Sequence, residues 1–361
     1  MIKARVLVPL NIRTGKPEIL PDNNTGDKFY NPGDVIEIDE VVIGETYKEN
    51  SIWYKLVDGG FVWSGGVAGT NEINASFAST LYYPWMLNLK IPDLWEFSKG
   101  SGVGIGVVDT GINLNNKDIE FNKTEFYIYN TSQSLQDSFG HGTHCAALIG
   151  ARNKNGKFIG VAPESNLYIC KFSESGSLSD NEALRYADAI NWCSSNKNIH
   201  IISISWGGRM KDQQIRQKVE DAINTAVANN KIIICSIGDA SQDNDTSKRY
   251  PACFENAIGI GSIPVDGKLF SFLNEHLITI TDGLDIASYR HDNDKVVAMS
   301  GTSQSTAIVA GLVALIVKKL NFIYSPAQIK KMLTDFSETR QILGKPMPCL
   351  SGQKLLDFFK K

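Results

Sequence analysis

No apolar run in this chain reaches the roughly 18 residues that a membrane-crossing helix needs; the longest, Ala307 to Val317, stops well short. The N-terminal stretch MIKARVLVPLNIRTG lacks the long apolar core that follows the first basic residues of a secretory signal, so a cytoplasmic location is expected. A charge excess is missing too. The 36 Lys and Arg nearly balance 39 Asp and Glu, for a formal net charge of −3. That argues against nucleic-acid partners and against polybasic attachment to membranes. The cysteines are few and scattered (Cys145, Cys170, Cys193, Cys235, Cys253, Cys349), and they read as small buried hydrophobes kept reduced instead of a disulfide set. Internal repeats are absent.

What is present is concentrated in three strings: VVDTG around Asp109, FGHGTHCAA around His141 and SGTSQSTA around Ser303. A serine hydroxyl is a poor nucleophile at neutral pH and needs an adjacent base, usually a neutral imidazole. The imidazole in turn needs a carboxylate that fixes its tautomer and stabilises the imidazolium. Val103 to Val108 is an apolar, β-branched run that reads as a buried strand, so Asp109 is expected at a strand end, with Gly111 in the turn. Gly140 and Gly142 bracket His141 at the start of a small-residue helix expected over Thr143 to Ala151. Ser303 opens a long apolar helix expected over Ala307 to Leu320, whose terminal amides can face a developing negative charge.

Each string alone could be structural, but the order Asp, His, Ser with these neighbours resembles the subtilisin-like serine proteases, the subtilases. The resemblance runs from Tyr83 to Lys361 and takes in GVAP (Gly160 to Pro163), SISWGG (Ser203 to Gly208) and YPA (Tyr250 to Ala252). Independently, strands expected at Val103–Val108, Leu167–Phe172, Ile199–Ser205, Lys231–Ile237 and Ala257–Ser262 alternate with helices at Asp180–Ser195, Gln213–Asn230, Ala307–Leu320 and Ser325–Phe336. This alternation implies an α/β fold, a mostly parallel sheet with helices on both faces. The resemblance implies a serine endopeptidase working through an acyl-enzyme, with Asp109, His141 and Ser303 catalytic. It also implies substrate pairing with Ser205, Trp206, Gly207 and Gly208 on one side and Gly176, Ser177 and Leu178 on the other; extended capture of this kind draws affinity from main-chain hydrogen bonds.

Four departures from the family pattern stand out. Gly238 is followed by Asp239 where the family carries an asparagine that donates to the oxyanion; an ionised carboxylate there would repel it, and losing one such donor costs on the order of 10² to 10³ in rate. Weak activity at neutral pH that rises on acidification is the expectation, a protonated Asp239 serving as donor. Arg249 falls near the floor of the primary specificity pocket, which would favour an acidic residue before the scissile bond. Lys154 stands where the family's calcium loop has an asparagine, so no metal is expected there. The serine string continues as Gln304, Ser305, Thr306, Ala307 and Ile308, which departs from the family's sequence and can reposition the helix start. No cofactor is implied: His141 and His144 lack a third metal ligand, and the glycines of GSGVGIG precede their strand, unlike a dinucleotide fingerprint.

Residues 1–68 have a different texture, with short β-prone runs separated by turn signals. LNIRTG and WYKL…DGGFVW resemble a bacterial SH3-like domain, a small all-β barrel. Tyr30, Trp53, Tyr54, Phe61 and Trp63 supply either a ligand groove or its core. The expected organisation is therefore a barrel over 1–68, a linker over 69–82 and a peptidase domain over 83–361. A barrel in place of the family's folding prodomain implies a retained targeting, sensing or regulatory module with a peptide or protein ligand of its own. The rival reading is an inactive subtilase fold that binds peptides under control of the barrel.

Overall fold

The computed structural model describes residues 2–7, 9–14, 17, 24–47, 50–67, 83–154, 158–174, 180–240, 245–264, 270–292 and 295–361; the expected linker, 69–82, lies outside them. The chain forms two compact units, Met1–Leu87 and Asn88–Lys361.

In the first unit, β1 (Ile2–Arg5), β2 (Leu10–Arg13), β3 (Asn24–Tyr30), β4 (Val35–Tyr47), β5 (Asn50–Leu56) and β6 (Phe61–Trp63) pair antiparallel in the order β1-β4-β5-β6-β2-β3. β4 shows the period-2 logic of a half-buried strand: Ile36 and Ile38 are buried while Val35 and Glu37 face solvent. A register shift between Ile38 and Glu40 then leaves Asp39 and Glu40 both outside before Val41 returns to the core. That core also holds Val6, Leu10, Tyr54, Leu56 and Val62.

The second unit contains β7 (Gly104–Asp109), β8 (Tyr127–Ile128), β9 (Asn166–Lys171), β10 (Ile201–Ile204), β11 (Ile232–Ser236), β12 (Asp239–Ala240), β13 (Ile258–Ser262), β14 (Phe270–Ser271), β15 (Leu277–Thr281), β16 (Ile286–Tyr289), β17 (Val296–Met299), β18 (Ser337–Ile342) and β19 (Lys345–Leu350). Among the described residues, nine strands form one sheet in the order β18-β19-β15-β13-β11-β10-β7-β9-β8. All its pairings are parallel except β18 with β19. A central parallel strand is covered on both faces, which is why β7 reads as an uninterrupted buried run.

The helices are α1 (Pro84–Asn88), α2 (Ile91–Leu94), α3 (His141–Gly150), α4 (Asp180–Ser195), α5 (Gln213–Ala228), α6 (Thr302–Lys319), α7 (Pro326–Phe336) and α8 (Gly352–Lys360). α6 is apolar on every side and buried from Gln304 to Val317, as a helix enclosed within a domain must be. α4 and α5 are amphipathic and pack Tyr186, Ile190, Val219 and Ile223 into one core with Ile202 and Ile204 of β10. Asp212 caps α5 by accepting from the amides of Gln214 and Ile215. All six cysteines are free and buried. Several elements lie outside the sequence expectation, among them α1, α2, α8, β15 and the hairpins β16–β17 and β18–β19, and α6 begins at Thr302, five residues before Ala307, with Ser303 in its first turn.

Candidate active site

Asp109 ends β7, an interior strand of the sheet between β10 and β9, and its side chain is 1% exposed. Gly111 turns the chain away at φ +117°, a left-handed conformation that suits glycine. α3 then lands directly on this turn. A Cβ on Gly142 would lie 2.4 Å from the Gly111 carbonyl oxygen, so only glycine lets the helix approach this closely. The approach sets His141 beside Asp109: Nδ1 lies 2.8 Å from Oδ1 and 3.0 Å from Oδ2. Oδ1 also accepts the Thr110 amide at 2.8 Å. Burial works against the imidazolium of His141, but the charge and hydrogen bond of Asp109 outweigh it, so His141 titrates well above the ordinary imidazole range. Below it, Cys145 places Sγ 3.9 Å from Nδ1; burial pushes this thiol up and keeps it uncharged. Asp109, His141 and Cys145 bring potential metal-ligand atoms within 4.8 Å of one another. His144 is buried and lowered to about 4, so it is a neutral packing histidine.

Ser303 is the second residue of α6, where helix amides have no partner four residues back. Its Oγ donates to the Ser205 carbonyl at 2.8 Å, and Ser205 Oγ donates to the Ser303 carbonyl at 3.1 Å. His141, Ser205, Trp206, Gly207, Gly238, Asp239 and Ser303 line one cavity of about 470 Å³. Asp239 Oδ1 accepts the Thr302 amide at 2.7 Å, so this carboxylate faces the positive end of α6 from the cavity wall.

The other predicted residues scatter. Gly208 spends both main-chain groups on Tyr250, at 2.9 and 2.8 Å, while the Ser205 carbonyl accepts from Ser303 and the Trp206 carbonyl from the Tyr186 hydroxyl. Gly176, Ser177 and Leu178 lie outside the described residues. The Arg249 guanidinium stacks 4.0 Å from the Phe272 ring centroid and donates to the Lys248 carbonyl at 3.3 Å; Arg249 does not line the cavity, and its stem lies 3.2 Å from where a Cβ on Gly238 would sit. Lys154 pairs with Glu120, which also holds Arg152 at 3.0 Å.

Sequence reasoning missed Asp137. It accepts from Thr110 Oγ1, the amides of Phe139, Gly140 and Thr143, and Thr143 Oγ1, all within 3.0 Å, and so fixes the loop that delivers His141. Lys171 fixes the preceding stretch by donating to the carbonyls of Ser134 and Gln136. An acid at Asp137 followed by Thr at Thr143 was the only signal for this, and neither residue type is distinctive. Burial alone would raise Asp137, but these hydrogen bonds hold it below the ordinary value of 3.8. The stability it supplies is therefore complete above that pH and disappears as pH falls through the lower folded value. Asp137→Asn is expected to cost about 3 kcal/mol at neutral pH. Urea unfolding should show the gap to wild type closing in acid.

Residues 100–346 match the family described as Peptidase_S8, Subtilase family. The chain is 28% identical over 272 residues to the "Major intracellular serine protease" of Bacillus subtilis (strain 168), covering 72% of this chain and 81% of that one. It is 28% identical over 280 residues to the "Intracellular serine protease" of Paenibacillus polymyxa, covering 74% and 81%, and 30% identical over 239 residues to "Subtilisin Savinase" of Lederbergia lenta, covering 65% and 82%. In fold it is similar to the crystal structure of MycP1 with the N-terminal propeptide removed, with a TM-score of 0.64 at 23% identity, over 76% of this chain and 98% of that one.

Proposed function

Because the chain belongs to the subtilase family and is a subtilisin-like serine endopeptidase, we propose that Ser303 is its nucleophile, His141 its general base and Asp109 the carboxylate that orients the base. The observation that carries this is the contact of both Asp109 oxygens with His141 Nδ1, which leaves Nε2 to serve a cavity that also contains Ser303. At rest the Ser303 hydroxyl is spent on the Ser205 carbonyl. A substrate main-chain N–H that takes this carbonyl frees the hydroxyl to turn to Nε2. His141 then accepts the Oγ proton as Oγ attacks the scissile carbonyl, and passes it to the departing amine. Water, deprotonated by the same imidazole, hydrolyses the acyl-enzyme. The Ser303 amide, in the first turn of α6, is the main-chain donor for the oxyanion.

A fluorophosphonate probe tests this assignment. Labelling of the wild type, and none of Ser303→Ala, is expected; labelling that survives the substitution would sink it. No labelling at any pH would favour the rival reading, a peptide-binding module that has lost catalysis.

Names of the two intracellular relatives support action inside the cell. For the N-terminal unit we favour an SH3-like regulatory barrel, organised as 1–68 before a linker over 69–82 and a peptidase domain over 83–361. Trp53 and Tyr54, 2% and 0% exposed, belong to packing, so a ligand groove there would fall to Tyr30, Phe61 and Trp63. Preference for an acidic residue before the scissile bond has the weaker support, since Arg249 must leave Phe272 to meet a carboxylate; cleavage after Asp or Glu would establish it.

A further inference from the structure

We propose that Cys170 and Cys193 form a site of reversible oxidation, which hydrogen peroxide closes to a disulfide that locks β9 to α4. Neither residue takes part in the hydrolytic mechanism. Their sulfurs lie 3.2 Å apart, and both residues are fully buried. A disulfide needs about 2.0 Å, so small side-chain rotations close the gap. Other thiols are differently placed: Cys145 faces His141 Nδ1, and Cys253 donates to Asn274 Oδ1 at 3.6 Å.

The fold brings the pair together. Alternation along β9 turns Cys170 to the opposite face from Lys171, into the core that α4 builds with Ala189, Ile190 and Cys193. On the neighbouring strand β7, Gly106 leaves room for the second sulfur; a Cβ there would sit 2.7 Å from Cys193 Sγ. Access comes from the sheet edge. β8, the edge strand, is two residues long and half-buried, and its Tyr127 pairs with Cys170. So short an edge opens at little cost and admits a molecule as small as a peroxide. Burial and the adjacent Cys193 sulfur push the Cys170 thiol up, so the closed pair stays protonated until such an opening.

One thiolate then attacks a peroxide oxygen and breaks the O–O bond, giving a sulfenic acid and hydroxide. The second thiolate displaces hydroxide from that sulfur as the S–S bond forms, and the two hydroxides take up the thiol protons and leave as water. The thiols are oxidised and the peroxide is reduced. A reducing cell keeps the pair open, so closure reports oxidative stress. Its effect falls on unfolding: a crosslink between positions 23 apart restricts the unfolded chain and is expected to raise the folding equilibrium constant about 10²-fold.

The test uses the full chain carrying Ser303→Ala, so that unfolded molecules are not digested. The reduced protein is treated with hydrogen peroxide, its remaining thiols are alkylated in denaturant, and its peptides are weighed. A Cys170–Cys193 crosslink that dithiothreitol reverses is expected. Urea unfolding should show the gain of about 10²-fold after oxidation, and no gain when the same chain also carries Cys193→Ala. Alkylation of all six cysteines, oxidation that ends in sulfinic acid, or a crosslink from Cys170 to any other cysteine overturns the inference. So does a Cys170–Cys193 disulfide that leaves unfolding in urea unchanged. The crosslink and the unfolding of the oxidised chain decide the matter even if Cys193→Ala does not fold.

Discussion

Asp109→Asn is expected to lower kcat/KM about 10⁴-fold at neutral pH, the loss that follows when a triad imidazole is held in the wrong tautomer. Both carboxylate oxygens now lie within 3.0 Å of His141 Nδ1, and Oδ1 also accepts the Thr110 amide. An asparagine that keeps its oxygen on Thr110 turns its NH₂ toward Nδ1. That favours a proton on Nε2, and such an imidazole cannot accept from Ser303. The same change removes the charge that raises His141, so the residual activity should show its acid limb at lower pH than wild type. A pH profile of kcat/KM separates this from general damage, because a disordered site would lose rate without moving the limb. An unshifted limb, or a loss below tenfold, would show that Asp109 does not orient the base.

The sheet was legible because parallel strands covered on both faces must be apolar throughout: β7, β9, β10, β11 and β13 each fall within two residues of their expected bounds. The hairpins β16–β17 and β18–β19 escaped because their strands are short and partly exposed, with polar residues such as Arg340 and Gln341 that no alternation marks. The start of α6 is hard to read in the sequence because Thr302 to Thr306 is polar in composition; in the fold Ser305 donates to the Thr281 and Asp282 carbonyls and Thr306 to the Thr302 carbonyl, so these hydroxyls are satisfied.

Roles at the site were less legible than positions. Asp109, His141 and Ser303 are recognisable by type and order, but the partner of a side chain is a tertiary property. Nothing local shows that Arg249 would lie on Phe272, that Tyr250 would occupy both main-chain groups of Gly208, or that Asp137 would gather donors from Thr110 and Thr143.

The pH response expected from Asp239 alone changes once its surroundings are known. Acid would neutralise a carboxylate that opposes the oxyanion, yet acid also protonates His141, which Asp109 already raises well above the ordinary range, and a protonated imidazole cannot take the Ser303 proton. The second requirement dominates, so wild-type kcat/KM is expected to rise with pH and to fall on acidification. Asp239→Asn should then raise kcat/KM by about 10² to 10³ at neutral and alkaline pH, the contribution of one oxyanion donor. The amide can keep the Thr302 N–H on its oxygen, as Oδ1 does at 2.7 Å, and turn its NH₂ into the cavity, replacing a repulsive charge with a donor where negative charge develops. Its acid limb should coincide with that of wild type, since the base is unchanged. An amide variant no faster than wild type at neutral pH would mean that the Asp239 carboxylate lies away from the oxyanion, and a wild type faster at pH 5 than at pH 8 would mean that Asp239 and not His141 governs the response to acid.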